Sequence, residues 1–251
     1  MKFSLCIEPV FESYDFYDRI KIAADCGLDA IEFWDPADKD TDRIGSIAAN
    51  CGVAVAICTT VMPWQKRMNA NYKEVEMAIA NSIKKAKAMN CRSLIGLSGD
   101  IDSAKNTQKG IIINNLRIVK DMCEAEGVTL NMEILNSYVD HKGYYLDCSH
   151  EGFEIVRSVH SDNIKVLFDI YHMQIMEGNI ISTVSANIDK IGHFHSAGVP
   201  GRHEHYLGET NYPFVIAEID KLGYEGYFGL EYWPTFDNRA SLEKVMAYLK
   251  G

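Results

Sequence analysis

The chain has 251 residues, enough for one large domain or two small ones, and 47% of them are hydrophobic, which is sufficient for a sizeable core. The formal net charge of −10 argues against a protein that binds the phosphate backbone of nucleic acids. No apolar run approaches the roughly 20 residues that span a bilayer, and Glu8 and Glu12 interrupt any N-terminal signal-peptide core.

Short apolar runs that favour β-strands alternate with helix-length stretches along the chain. The predicted strands are KFSLCI (2–7), DAIEFW (29–34), AVAICT (54–59), SLIGLS (93–98), TLNMEI (129–134), KVLFDI (165–170), IGHFHS (191–196) and YFGLEY (227–232). The predicted helices with clear ends are 15–26, 72–89, 109–126, 212–222 and 238–250. Four of these five stop at a glycine and one at an asparagine, residues that commonly end helices.

The alternation amounts to eight β/α units, with a helix end, a glycine and then a strand recurring in "ADCGLDAIEFW" and "CEAEGVTLNMEI". About 250 residues is typical of a (β/α)8 TIM barrel. An open doubly wound sheet is the alternative, but no GxGxxG motif follows the first strand. No linker divides the chain, so we predict one α/β domain over residues 1–251, a TIM barrel.

Four predicted strands have polar side chains at their carboxyl ends, one residue before the last: Glu133, Asp169, His195 and Glu231. In a TIM barrel these ends form the active-site face. Each residue alone is more often a helix cap or a loop ion pair, but three buried carboxylates together repel one another unless a cation balances them. Three carboxylates and one imidazole suit Mn²⁺, Mg²⁺ or Co²⁺ better than a structural zinc. We therefore predict a site for a divalent metal ion.

Three further side chains near these ends are open to two interpretations. His172 follows its strand closely and is predicted to donate to a substrate oxygen, the alternative being a turn cap. Trp64, after the third strand, could wall the pocket or serve only in packing. His193 precedes His195 by two residues, and we expect the two to point to opposite faces of the strand, with His195 as the metal ligand.

Several motifs resemble a known superfamily, the xylose-isomerase-like TIM barrels. The segments "FDIYHMQIMEG", "VPGRHEHYLGETNYPF" and "LGYEGYFGLEY" resemble hydroxypyruvate isomerases, whereas "MEILN" and "GHFHSAG" resemble the tagatose/psicose 3-epimerases. The resemblance is strongest over residues 129–233. Hydroxypyruvate isomerases often have glutamine where this chain has His195, and the epimerases lack the GRHE loop, so the motifs leave the exact substrate open.

The resemblance implies roles for individual residues. Glu133 and Glu231 would ligate the metal and act as the catalytic acid/base pair, Asp169 and His195 would complete the ligand set, and His172 would bind substrate. The implied chemistry moves a proton on an α-hydroxy carbonyl through an enediol, with the ion polarising the carbonyl. A homo-oligomer, dimer or tetramer, is also an option in this superfamily.

Arg202 in the loop after the seventh strand favours one substrate class. Its guanidinium could hold a carboxylate with two hydrogen bonds, and hydroxypyruvate has a carboxylate where a neutral ketose has none. Pairing of Arg202 with Glu204 or Glu209 is the alternative. We predict a hydroxypyruvate isomerase acting on a small hydroxy-keto acid.

Other functions remain as alternatives. A ketose 3-epimerase acting on free sugars comes first, followed by a non-catalytic sugar-binding relative and an apurinic endonuclease, which would need more strand-end histidines and a basic surface. The seven cysteines form no CxxC pair and are expected to be reduced, which favours a cytoplasmic protein. From the net charge and the lack of a long apolar run, we expect contact with neither nucleic acids nor membranes.

Overall fold

The computed structural model describes residues 1–64 and 67–251. Its strands pair in parallel in chain order and close into a barrel, because the last strand pairs with the first. The strands are β1 (Lys2–Cys6), β2 (Ala30–Phe33), β3 (Ala54–Thr59), β4 (Ser93–Gly96), β5 (Thr129–Glu133), β6 (Ile164–Asp169), β7 (Ile191–Ser196) and β8 (Tyr227–Leu230). The prediction of a (β/α)8 TIM barrel is confirmed.

Helices surround the barrel. They are α1 (Ile7–Val10), α2 (Phe16–Asp25), α3 (Thr41–Cys51), α4 (Tyr72–Ala88), α5 (Lys105–Glu126), α6 (Ser149–Val159), α7 (Ile170–Met176), α8 (Ile180–Asn187), α9 (Tyr212–Lys221) and α10 (Asn238–Lys250). Short 3₁₀ turns occupy Ile188–Lys190 and His205–Leu207. None of the described helices is both long enough and apolar enough to cross a bilayer.

Local sequence explains several helix ends. Asp15 caps α2, since its carboxylate accepts a hydrogen bond from the Tyr17 amide. Gly127 ends α5 in the left-handed conformation, with φ of 61°, as predicted from its position. The predicted start of α5 at residue 109 is late, however, because the helix already begins at Lys105.

Two strands end two residues earlier than predicted at their carboxyl ends, and four others end one residue earlier. β4 stops at Gly96 and β8 at Leu230, where the chain turns into the loops above the barrel. Glu231 therefore lies one residue beyond β8, but its backbone amide still donates to the Ser196 carbonyl of β7. This hydrogen bond keeps Glu231 at the mouth of the barrel.

The main apolar core lies between the strands and the helices, and it contains the largest buried aromatic side chains, such as Phe168, Phe194 and Phe228. The interior of the barrel is polar on its β2 and β7 sides, where Glu32 contacts His193 and His195 across the barrel. All seven cysteines are free thiols. Glu32 is thus buried inside the barrel, below the face where the strand-end residues meet.

Candidate active site

The four predicted strand-end residues meet at the carboxyl-terminal face of the barrel. Glu133, Asp169, His195 and Glu231 each offer one ligand atom, and these atoms all lie within 4.8 Å of one another. All four side chains are buried. They are brought together because β5, β6, β7 and β8 are neighbours in the closed barrel.

His195 is the centre of this group. Its Nδ1 atom lies 3.1 Å from Glu133 Oε1 and 3.2 Å from Glu231 Oε2, while its Nε2 atom faces Glu32 Oε2 at 3.3 Å. Although burial opposes the charged form, the surrounding carboxylates Glu32 and Glu231 raise the pKa of His195 well above its usual value. The imidazole is thus held between acids on both of its nitrogen atoms.

The expectation that His193 and His195 point to opposite faces is wrong. Successive side chains of a strand alternate, so residues two apart share a face, and both imidazoles point into the barrel. His193 Nε2 lies 2.7 Å from Glu32 Oε2, and the two imidazole rings are 5.1 Å apart between centroids. His193 therefore lies next to the four strand-end residues, on the side of the barrel interior.

Glu32 is the residue that sequence reasoning missed. It lies in β2, is almost fully buried, and its Oε2 atom contacts both imidazoles. Burial raises the pKa of Glu32, but His193 and His195 outweigh burial and lower it to about 2. The signal was a lone acid among apolar residues in the strand AIEF. Glu32, His193 and His195 also form a second group whose ligand atoms lie within 4.8 Å of one another.

Arg202 lies among the acids of the site. Its Nη2 atom is 2.6 Å from Glu231 Oε2 and 3.8 Å from Asp169 Oδ2. The alternative pairing with loop acids does not occur, since Glu204 accepts from Thr235 and Ser241 and Glu209 accepts from Gln174. Arg202 therefore balances part of the negative charge that the strand ends bring together.

Burial and charge act in opposite directions on the two acids beside Arg202. Burial raises the pKa of Asp169 to about 7, with Arg202 opposing the rise. Burial would also raise the pKa of Glu231, but Arg202 and His195 outweigh it and hold the Glu231 pKa well below its usual range. Trp34 adds to this effect, because its Nε1–H donates to Glu231 Oε1 at 2.7 Å.

His172 lies in the first turn of α7, where its backbone amide donates to Asp169 Oδ1. Its side chain is fully buried, with Nδ1 2.6 Å from Asn136 Nδ2 and Nε2 3.5 Å from Asp169 Oδ2. Among the described residues, Nε2 has no hydrogen-bond partner. The turn cap that sequence reasoning offered as the alternative is thus supplied by Asp169, and the His172 imidazole stands behind the acid group.

A cavity of about 310 Å³ opens above the acids. Its apolar walls come from three tryptophans and three aliphatic side chains: Trp34, Trp64, Trp233, Ile95, Leu97 and Leu135. Its polar lining includes Glu133, His195, Arg202 and Glu231. Trp64 thus lies in the cavity wall, and the volume suits a small molecule.

A second arginine, Arg67, lines the same cavity. It lies on the loop after β3 and is only 7% exposed. Burial lowers the pKa of Arg67, with Tyr144 and Asp35 opposing the change, but a guanidinium keeps its charge at neutral pH. Sequence reasoning gave Arg67 no role, because nothing in the loop sequence marks which side chain turns inward.

The four strand-end side chains fit a divalent metal ion. Two ligands on opposite sides of one ion, each about 2.0 to 2.4 Å from it, are roughly 4.0 to 4.8 Å apart. The ligand atoms of the four side chains all lie within 4.8 Å of one another, close enough to share one ion. Three carboxylates and one imidazole are also the donor set that Mn²⁺, Mg²⁺ and Co²⁺ accept. Glu133, Asp169, His195 and Glu231 could therefore hold such an ion.

Known proteins similar to this chain include two bacterial isomerases. A 2-oxo-tetronate isomerase of Cupriavidus necator is 30% identical, with 99% of this chain and 98% of that protein covered. A hydroxypyruvate isomerase of Escherichia coli is 28% identical, with 99% of each chain covered. The chain is an enzyme of the same broad class, the isomerases, to which the epimerases also belong.

The fold is also found in solved structures. A crystal structure titled as an AP endonuclease, family 2, from Brucella melitensis superimposes with a TM-score of 0.92 at 26% identity, covering 98% of each chain. The family model described as the xylose isomerase-like TIM barrel matches residues 20–251 of this chain. Because its eight strands form a closed barrel and the family model covers most of its length, the chain belongs to the xylose isomerase-like TIM barrel family.

Proposed function

We propose that the chain isomerises hydroxypyruvate to tartronate semialdehyde, using a divalent metal ion held by Glu133, Asp169, His195 and Glu231. The observation that carries this proposal is the convergence of three buried carboxylates and one imidazole within 4.8 Å, beneath a cavity sized for a small molecule. The similarity to hydroxypyruvate and 2-oxo-tetronate isomerases supports the reaction type.

When bound, the divalent ion would polarise the substrate carbonyl and stabilise negative charge on its oxygen. Glu133 and Glu231 are then the proton-transfer residues, since both line the cavity. One removes a proton from C3 of hydroxypyruvate to form the enediolate, and a proton is delivered to C2. The hydroxyl proton on the C3 oxygen moves to the C2 oxygen, so no atom is gained or lost.

Three other side chains are proposed to position the substrate. Arg202 lines the cavity beside Glu231 and would hydrogen-bond the substrate there. His172 is not among the residues that line the cavity, and its proposed contact with a substrate oxygen rests on its Nε2 atom, which lies beside Asp169 and has no hydrogen-bond partner among the described residues. Trp64 would cover the substrate with its ring, which is 40% exposed at the cavity wall.

The direct test supplies purified protein with hydroxypyruvate and follows tartronate semialdehyde by coupled reduction. We expect turnover with Mn²⁺, Mg²⁺ or Co²⁺, loss of turnover with EDTA, and recovery when the ion is restored. Absence of turnover with all three ions would rule out this substrate.

Replacement of the proton-transfer residues tests their roles. Glu133→Gln and Glu231→Gln should each lower kcat by a factor of about 10² to 10⁴, the usual contribution of a general acid or base. The matched control is Glu74→Gln, an exposed acid in the first turn of α4, which should keep full activity. A Glu133→Gln enzyme with unchanged kcat would remove Glu133 from the proposed mechanism.

A second candidate substrate is 2-oxo-tetronate, which has one more carbon than hydroxypyruvate. Relatives named for that acid match this chain at 28% and 30% identity over nearly its full length. Measuring kcat/KM for each acid distinguishes the two candidates. The acid whose transition state the pocket binds better gives the higher kcat/KM.

A further inference from the structure

We propose that Arg67 forms the subsite for the substrate carboxylate, so that this pocket selects small oxo acids over neutral ketoses. This inference rests on the proposed function and names the substrate class of the same site. It assigns to Arg67 the carboxylate contact that the sequence pattern suggested for Arg202.

Arg67 has a buried positive charge that forms no ion pair with a described acid, although Asp35 on the same cavity acts on it from a longer distance. No carboxylate of the described residues lies within ion-pair distance of its guanidinium, and the two residues outside the description, Gln65 and Lys66, are not acids. Its one side-chain hydrogen bond to a described residue goes from Nη1 to the Thr60 carbonyl, at 3.0 Å. The buried Nε has no partner among the described residues. A buried charge of this kind is costly unless an anion pairs with it.

Arg202 is not equivalent, because two acids already engage it. Its Nη2 atom makes an ion pair with Glu231 at 2.6 Å and approaches Asp169 at 3.8 Å. A carboxylate bound there would have to compete with these two protein acids. Arg67, on the same cavity, has no such competitor.

The other nitrogen bases of the cavity fit a carboxylate less well. Burial and the charge of Arg202 lower the pKa of His141, so its imidazole is neutral near pH 7. His195 is enclosed by Glu32, Glu133 and Glu231. Arg202 also has a buried Nε without a partner among the described residues, but acids engage its Nη2 atom. Among the described residues that line the cavity, Arg67 is therefore the arginine that no acid contacts within ion-pair distance.

The position of the Arg67 guanidinium is set before any ligand binds. The Thr60 carbonyl holds one end, the Trp64 ring lies with its centroid 5.8 Å from Cζ, and the backbone amide of Arg67 donates to Asn69 Oδ1. Apolar neighbours in the cavity, Leu97 and Leu135, limit screening by water. A planar fork in such a setting suits two parallel hydrogen bonds to one carboxylate.

The test separates binding from turnover. Pyruvate and its neutral methyl ester are titrated into metal-free protein, and binding is read from tryptophan fluorescence, since three tryptophans line the cavity. We expect the wild-type protein to bind pyruvate more tightly than methyl pyruvate by a factor of about 30 or more, as for a desolvated charge pair. Arg67→Met should remove this preference.

Two further variants show whether the effect of Arg67→Met comes from the lost guanidinium, from the lost charge alone or from misfolding. Arg67→Lys keeps the charge but lacks the planar fork, so it should recover part of the preference that Arg67→Met loses. Arg92→Met, an exposed arginine at the opposite end of the barrel, is the matched control and should bind pyruvate like the wild type. Equal pyruvate binding by the wild type and by folded Arg67→Met would overturn the inference.

Turnover then distinguishes this inference from the proposed function. If the wild type isomerises hydroxypyruvate, Arg67→Met should raise the KM for hydroxypyruvate by about 30-fold or more. Unchanged KM for hydroxypyruvate in a folded Arg67→Met enzyme would overturn the carboxylate subsite and leave the isomerase proposal standing. Failure of the wild type on every acid tested, with pyruvate binding still dependent on Arg67, would overturn the proposed function and support the subsite.

Discussion

At the scale of single residues, Glu32 joins two imidazoles inside the barrel. Its Oε2 atom lies 2.7 Å from His193 Nε2 and 3.3 Å from His195 Nε2. The other ring nitrogen of His195, Nδ1, faces Glu133 and Glu231. A carboxylate on the far nitrogen of a metal-binding histidine usually fixes the orientation of the ring. Glu32 is thus placed to orient His195.

Replacing Glu32 tests this positioning role. Glu32→Gln should raise the Kd for Mn²⁺ by a factor of about 10 to 100, the usual effect of losing the hydrogen-bond partner of a metal-binding histidine. Calorimetric titration measures this Kd. The exposed Glu12→Gln is the control. Since a general loss of packing would also weaken binding, the Tm of the metal-free variant should be measured alongside. An unchanged Kd would mean that Glu32 does not orient His195.

His205 links stability to pH. Its imidazole is fully buried against the rings of Tyr212 and Tyr232, with Nε2 2.9 Å from Ser196 Oγ, and burial lowers its pKa to about 3 although Glu204 opposes this. The unfolded chain binds the proton near pH 6.5, whereas the folded chain does not. Stability is therefore full above pH 6.5 and falls as the pH drops toward 3.

The lowered pKa of His205 gives the size of the stability loss at acidic pH. Between pH 7 and pH 5 the wild type should lose about 2 kcal/mol of unfolding free energy through His205, beyond losses from other groups. His205→Gln should lack that part of the loss. Urea denaturation of both proteins at the two pH values measures the difference, and parallel losses in the two proteins would contradict the assignment.

At the scale of elements, helix packing depends on a glycine in α3. A Cβ atom at Gly45 would lie 2.7 Å from the Ala88 carbonyl oxygen and 3.0 Å from the Met89 Cα, both backbone atoms at the end of α4. Neither atom can move without shifting α4. The absence of a side chain at Gly45 thus allows α3 to approach α4 closely.

Two glycine-to-alanine variants measure this approach. Gly45→Ala should destabilise the protein by about 1 to 3 kcal/mol through overpacking, even though alanine favours helix. Gly110→Ala is the matched control, because Gly110 lies in α5 with open space around the position of a Cβ, and it should gain up to about 1 kcal/mol. Both values come from chemical denaturation, and equal effects of the two changes would refute the packing argument.

At the scale of the whole molecule, the four candidate metal ligands lie at the carboxyl ends of β5, β6, β7 and β8. An ion that binds only the folded barrel stabilises it by mass action. At a Mn²⁺ concentration 100 times the Kd, the unfolding free energy should rise by about 2.7 kcal/mol, and the Tm should rise with it. Asp169→Asn should abolish most of this gain, and a Tm that is insensitive to Mn²⁺ and EDTA would argue against the site.

Much of this architecture was predictable from local sequence. The alternation of apolar runs with helical stretches predicted the eight strands, because strand and helix preferences depend on neighbouring residues. The prediction that Glu133, Asp169, His195 and Glu231 lie together followed from one rule, that parallel strands in a barrel end on the same face. The structure brings their ligand atoms within 4.8 Å.

The contacts of individual side chains were not predictable in the same way. Glu32 meets His193 across 161 positions of sequence, and Arg202 meets Glu231 across 29. The inward turn of Arg67 likewise depends on where the loop after β3 lies above the barrel. Barrel closure decides these contacts, and no local pattern in the chain encodes them.

By itself, the sequence determined the order of strands and helices and the set of polar groups at the strand ends, since both depend on short-range periodicity. Only the tertiary structure decided which acid each cation meets: Arg202 pairs with Glu231, while Arg67 faces the cavity without an acid partner among the described residues. The physical reason is that charge pairing requires atoms within about 4 Å, and residues far apart in the chain reach such distances only when the strands have paired into the barrel.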